Sequence, residues 1–446
     1  MRRKGKFIAR IAFWLVLPLV LAGVPSGARC QKPGKQVWSE NAPCHYGGNG
    51  GAFIQGINAH DNLLLSCLVP QGSFASTELG NYVPELVLLR AEDGAEVSRK
   101  VVHAWKAFFE GHKGRLYQDI HPKLTYGGAA LPAFYIVRGP DAVLMMQVPW
   151  LAVVDLENGS IVRPLLPSRD LVNSESPALH IPLREPVPMI ASVSPDRGAV
   201  AVASNIGSGP KMFIYKSDLT GQIGSWSLPR YAEGIAWSPD GKHVAVLYDG
   251  KFDGREKYVG QFPQWMPVRL PDIAVFDSAT GAELLNFSTG GPESKIVFSP
   301  DGQFIYAISE TSNITSLQKD ALRVFSSRTG KFVRVIAPNG PRLHDNFALS
   351  PDGRFIAADA STARWHPFFT EPTPEIFGNV ARVVVLNATT GKVIFSRIRR
   401  TSVAFPLNPI FIPDGRLLIV QYGPDRSAKG NQRDLVHIVA YSLAGL

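Results

Sequence analysis

One short turn constrains this chain more than any other feature. Its clearest copy is Phe298-Ser299-Pro300-Asp301-Gly302-Gln303-Phe304-Ile305. Ile296 and Val297 lead into it, and Tyr306, Ala307 and Ile308 carry the apolar run onward. Proline presets the first corner, the aspartate accepts bonds from amides further on, and glycine takes the positive φ that closes a hairpin. The group recurs at Ser194-Pro195-Asp196-Arg197-Gly198, Ser238-Pro239-Asp240-Gly241, Ser350-Pro351-Asp352-Gly353 and Ile412-Pro413-Asp414-Gly415. A turn that returns at intervals of roughly 45 to 60 residues marks a repeat architecture.

A second hairpin completes the unit, from Leu322 to Val333, with Thr329-Gly330 at its turn. Each unit then holds four antiparallel strands, a to d, joined by a Pro-Asp-Gly turn (a to b) and a Thr-Gly turn (c to d). Weaker copies appear when this template slides along the chain. Seven units result, with an aspartate at every a–b turn: Asp61, Asp141, Asp196, Asp240, Asp301, Asp352 and Asp414. Runs such as Val383-Val384-Val385-Leu386 are apolar at successive positions, which suits strands covered on both faces. The expected fold is therefore all-β, a seven-bladed propeller of four-stranded antiparallel blades. The seventh unit stops at its c–d turn, so residues 35–40 are expected to supply its outer strand and close the ring.

At these residues a resemblance enters. Ile235-Ala236-Trp237-Ser238-Pro239-Asp240-Gly241-Lys242-His243-Val244-Ala245 resembles the repeat of TolB-type bacterial propellers. The fifth unit, Phe298 to Ile336, resembles the YVTN-type repeat of the same WD40-like superfamily. The likeness spans residues 185–420 well and the first two units poorly, and no Trp-Asp dipeptide ends any strand c. It implies a fold and leaves function open, because such propellers include binding modules, lactonases and dehydrogenase subunits.

The first ten residues hold Arg2, Arg3, Lys4, Lys6 and Arg10, an apolar run follows from Ile11 to Val24, and small residues end at Ala28. That order is expected of a secretory signal peptide, with an uncleaved anchor as the alternative. Residues 1–28 are then the signal, and residues 29–446 a single propeller domain, periplasmic or secreted, with no transmembrane span after cleavage. Five of the 46 Lys and Arg leave with the signal and no acid does, so the net charge falls from +9 to +4. The basic pI therefore gives no footprint for nucleic acid. Cys30, Cys44 and Cys67 are the cysteines of the exported chain. Cys44 is read in the loop entering the first blade and Cys67 near the end of a strand b, so a Cys44–Cys67 disulfide is expected.

Turns a–b and c–d lie on one face of the ring, and loops b–c and d–a on the other. The long insertions all belong to the second face: 71–84, 104–131, 167–187, 249–271, 310–320, 361–379 and 423–434. Long loops on one face of a scaffold are a functional signal, with neutral growth as the alternative. One carries Phe252, Tyr258, Phe262, Trp265 and Arg269, and another Arg364, Trp365, His366, Phe368 and Phe369. Aromatics beside arginines suit a protein or small-molecule ligand. Trp265, Arg269, Trp365 and His366 are the candidate contacts, against the alternative of a cap packed over the channel.

No catalytic residue is assigned. The chain has no Gly-x-Ser-x-Gly elbow, no His-Glu-x-x-His and no P-loop. Asp249, Asp253 and Glu256 fit no calcium loop, and the glycines after Cys44 precede a strand rather than a phosphate-binding helix. Residues 104–120 could form a short helix, with Trp105 and Phe108 on its apolar side. No metal and no cofactor is expected, and the protein is read as a monomer. Two function readings stand: a non-enzymatic module that binds through its insertion-bearing face, and a propeller enzyme, lactonase-like or a dehydrogenase subunit.

Overall fold

The computed structural model describes residues 34–45, 52–70, 82–103, 133–137, 142–147, 150–165, 189–204, 209–248, 258–259, 262–263, 272–289, 293–309, 322–337, 343–360, 380–400, 408–423 and 435–445. Strand β1 (Gln36–His45) comes first. The first blade is then β2 (Ala52–Ile57), β3 (Asn62–Pro70), β4 (Tyr82–Arg90) and β5 (Glu96–Val101). The second is β6 (Ala133–Ile136), β7 (Ala142–Gln147), β8 (Trp150–Asp155) and β9 (Ile161–Leu165). The third is β10 (Met189–Val193), β11 (Ala199–Ser204), β12 (Lys211–Lys216) and β13 (Gln222–Ser227). In the fourth, β14 (Ala232–Trp237) and β15 (His243–Tyr248) precede a small hairpin, β16 (Tyr258–Val259) and β17 (Phe262–Pro263). Strands β18 (Ile273–Asp277) and β19 (Glu283–Phe287) complete that blade. The fifth is β20 (Glu293–Phe298), β21 (Phe304–Ser309), β22 (Leu322–Ser326) and β23 (Phe332–Ile336). The sixth is β24 (Leu343–Leu349), β25 (Phe355–Ala360), β26 (Val380–Asn387) and β27 (Val393–Arg400). The last holds β28 (Asn408–Phe411), β29 (Leu417–Tyr422) and β30 (Leu435–Ser442), with β1 as its outer strand.

Seven four-stranded antiparallel sheets stand in a ring, each in meander order. Burial follows from that stacking. Val244, Val246 and Leu247 of β15 are fully buried, because neighbouring blades cover both faces. The outer strand β13 alternates between exposed and half-buried positions, as one covered face requires. The seven apolar clusters lie mainly in the seams between blades; one joins Ala236 and Val275 of the fourth blade to Phe298 and Phe325 of the fifth. Each fully buried Val or Leu contributes roughly 1.5–3 kcal/mol. A seam of ten buried apolar residues, three of them alanines, is the main cohesive force between these two blades.

The recurrent turn works through its side chains. Ser238 Oγ donates to Asp240 Oδ1 at 2.6 Å, Lys242 N donates to the same oxygen at 3.1 Å, and His243 N donates to Ser238 Oγ at 2.9 Å. The third, fifth and sixth blades repeat the serine–aspartate bond. Two turns depart from the sequence expectation. In the third blade Arg197, not Gly198, takes the positive φ of 60°. In the first blade Asn58 Oδ1 is the acceptor, from His60 N and Asn62 N, while Asp61 takes the positive φ position. Asp61 is therefore not the counterpart of Asp240. Asp141 lies outside the described residues.

The last sheet repeats the c–d turn with two separate pieces of chain. Gly391 N donates to Asn387 O at 2.8 Å, and Asn387 N to Lys392 O at 2.9 Å. In the last blade Gly34 N donates to Ser442 O at 2.7 Å, and Ser442 N to Lys35 O at 2.8 Å. Gly34 thus stands in the glycine position of a turn whose first residues are Ser442, Leu443 and Ala444. Its φ of 70° and the Phe395 ring 3.0 Å from any added Cβ demand glycine there. Trp38 then reaches the first blade, where its indole N–H donates to Ala91 O at 2.9 Å.

Candidate functional site

The two faces of the ring differ in a single measurable way. Every a–b and c–d connection is four or five residues long. The b–c and d–a connections run from two residues, between β7 and β8, to 31, between β5 and β6. Strand direction puts all of the second class on one face, the candidate site.

Strand ends at that face are tied across seams by polar side chains. Between the last and first blades, Gln421 Oε1 accepts Ile54 N at 2.7 Å, and Asn408 Nδ2 donates to Ile54 O at 2.9 Å. Gln55 Oε1 accepts Phe134 N at 3.2 Å and carries the belt into the second blade. These side-chain amides satisfy backbone groups of inner strands that have no ladder partner across the seam. In the fourth and fifth blades the ties are cationic. Arg323 Nη1 donates to Thr289 O at 2.6 Å, and Lys295 Nζ donates to Phe347 O at 2.9 Å while lying 5.2 Å from the Phe347 ring. Asp272 Oδ2 accepts from Ser288 Oγ, Thr289 N and Thr289 Oγ1 and so caps the start of β18. The Arg230 guanidinium sits 4.9 Å from the ring of Tyr248, whose hydroxyl burial pushes well above the usual phenol range. In the first blade Arg99 reaches Glu85, near the insertion end of β4, at 3.0 Å, and also Glu96, beside the c–d turn, at 2.6 Å, which holds the Glu96 carboxyl below its ordinary value. These groups brace the rim, and sequence reasoning passed over them because each is isolated in the chain.

Trp265, Arg269, Trp365 and His366 lie outside the described residues, as do residues 104–120 and the glycine run after His45. The hairpin β16–β17 falls within the fourth-blade insertion, pairing Val259 with Phe262. Cys44 is not in a loop: it belongs to β1, which runs to His45, with an irregular register between Asn41 and His45. Cys67 is buried and disulfide-bonded, and the side chain of its partner lies outside the described residues. Among the described residues, no three His, Cys, Asp or Glu are grouped as a metal would need, and no helix is long and apolar enough to cross a membrane.

No protein-family profile matches the chain, and no curated protein matches it. Solved structures do. The WD40 domain of Neurospora crassa Pan2 is similar over 93% of this chain and 96% of its own, at 9% identity and a TM-score of 0.51. The chain folds as a WD40-like β-propeller. A TolB of Agrobacterium tumefaciens is 16% identical over 68% of this chain and 86% of its own, with a TM-score of 0.36. Kuenenia stuttgartiensis hydrazine synthase is 19% identical over 56% of this chain and 60% of its own, with a TM-score of 0.37. At such identities the likeness of this propeller to its neighbours is one of fold.

Proposed function

We propose that this propeller is exported and acts as a binding or scaffold module, taking a protein or small ligand on its insertion-bearing face. The observation that carries the reading is the contrast in connection length between the two faces. The seams at the insertion face are braced by strand-end residues such as Asn408, Gln421 and Arg323, so the loops beyond them are free to serve a ligand. Export is supported by the basic, apolar and small-residue order of residues 1–28 and by the disulfide at Cys67. The mature chain then starts near Arg29 in the periplasm or outside the cell, as a monomer with no nucleic-acid partner.

The test uses Trp265→Ala and Trp365→Ala in the full exported chain, with affinity for a partner recovered from an envelope fraction and thermal stability measured on the same samples. Binding energy concentrates in a few Trp, Tyr and Arg residues, so each change is expected to cost about 2 kcal/mol of affinity at constant Tm. A fall in Tm with unchanged affinity overturns the reading and makes these loops a packed cap. N-terminal sequencing of native protein tests export; an intact Met1 in a cytoplasmic fraction ends that part.

A further inference from the structure

We propose that the cleft between the fourth and fifth blades, at the turn face, receives an arginine side chain of a partner polypeptide. The cleft has a volume of about 630 Å³ and lies among His243, Leu285, Phe298, Asp301, Ser327 and Arg328. It is on the side of the ring away from the insertions, so this inference and the insertion-face reading stand or fall separately.

The neighbouring seam shows what can fill such a cleft. Val275 pairs Leu285 in the fourth blade as Val324 pairs Arg334 in the fifth. His243 opens β15 as Phe304 opens β21. Ser327 follows the end of β22 as Ala388 follows the end of β26. Between the fifth and sixth blades, the Arg334 guanidinium lies 5.7 Å from the Phe304 ring, and its Nη2 donates to Ala388 O at 3.3 Å. Between the sixth and last blades Phe395 holds the register position of Arg334, and Arg397, which pairs Val383 further from the turn, lies 5.5 Å from that ring and donates to Gly34 O. The seam between the fifth and sixth blades therefore holds a guanidinium from an outer strand, stacked on an aromatic ring and bonded to a turn carbonyl of the next blade.

Between the fourth and fifth blades no outer-strand arginine enters the seam. Leu285 stands where Arg334 would, and His243 where Phe304 would. The acceptor position remains, at Ser327, above a floor of Val275, Leu285 and Phe298. Asp240 and Asp301 line the mouth and favour a cation, and a guanidinium can stack on an imidazole as it stacks on Phe304. Arg328 also faces the cleft and opposes a bare cation, so the arginine is expected beside a carboxylate in its own chain. Leu284, 54% exposed at the rim, offers apolar surface that a free guanidinium compound would not use but a peptide would.

The probe is acetyl-Leu-Arg-Glu-amide titrated into the full chain by calorimetry, beside its citrulline counterpart and agmatine. Saturable binding is expected, with the citrulline peptide about tenfold weaker because the charge-assisted bonds are lost. Agmatine is expected to be weaker still than the arginine peptide. His243→Phe with Leu285→Arg rebuilds the neighbouring seam and should abolish binding while raising Tm. If that pair does not fold, Asp240→Asn decides, since asparagine keeps an acceptor oxygen in the turn and removes the charge; about fivefold weaker binding is expected. Equal binding of the citrulline peptide, of agmatine, of the rebuilt seam or of Asp240→Asn overturns the proposal, as does no saturation by about 10 mM peptide.

Discussion

At the turn face, an added Cβ on Gly281 would lie 2.6 Å from Trp226 of the preceding blade, one on Gly330 2.8 Å from Phe287, and one on Gly391 2.5 Å from Ala337 N. These c–d turns are packing surface for the neighbouring blade, so neither their length nor their glycines can drift. At the insertion face the seams are closed by side chains that leave from strand ends, such as Gln421 and Asn408, and chain beyond those ends adds no requirement. The contrast teaches where this fold stores constraint. Cohesion at one face depends on turn geometry, and at the other on a few polar reaches, which leaves loop length open to selection for binding.

The sharpest challenge to that division is the disulfide, a covalent tie in the half of the ring that carries the insertions. Cys44→Ser is expected to cost about 3 kcal/mol in urea unfolding, since it would release the outer strand of the last blade from the first. Mapping of peptides under non-reducing conditions should recover Cys44 linked to Cys67; a Cys30–Cys67 peptide rejects the pairing.

Gly281→Ala probes the turn face next. The new methyl would meet Trp226 Cε3 at 2.6 Å at a φ of 72°, and a loss of about 2–3 kcal/mol is expected in the same assay. A loss below about 0.5 kcal/mol would show that the turn is not a packing surface.

Ser238→Ala removes the hydroxyl that donates to Asp240 and accepts from His243 N, for an expected cost of about 1 kcal/mol at neutral pH. It also carries a pH signature. The Ser238 hydroxyl, with Lys242 N, holds the Asp240 carboxyl below its ordinary 3.8. A depressed folded value stabilises the fold above the unfolded value, and that stability is lost as pH falls through the folded one. Wild type should therefore lose stability below about pH 4 more steeply than Ser238→Ala, and parallel pH curves would refute the assignment.

The smallest effect is expected on the other face. Replacing residues 311–320 by Gly-Ser-Gly should change stability by no more than about 0.8 kcal/mol, because loop closure depends only weakly on length. A cost equal to that of Gly281→Ala would erase the distinction between the faces.

The turns were legible in the sequence because their chemistry is complete within six residues, from Ser238 to His243. The extent of β1 was not. Asn41-Ala42-Pro43-Cys44 reads as loop, yet the strand continues to His45 because an outer strand tolerates a proline and a shift in register. Positive φ at Arg197 was hidden for a related reason: the neighbouring Gly198 looked like the better candidate. The turn-face cleft could not be read at all. It arises where His243 and Leu285 face Ser327 across a seam, and only strand register makes those positions comparable with Phe304, Arg334 and Ala388.

The pairing of Gln36 with Tyr441 has a consequence in time. Translation yields the outer strand of the last blade first and its ladder partner last, roughly 400 residues later. At about 5–20 residues per second, β1 waits some 20 to 80 s before it can be sheltered. A nascent chain of this topology holds an open β-edge until β30 emerges, which makes it a long-lived client for holdase chaperones and keeps it threadable until then.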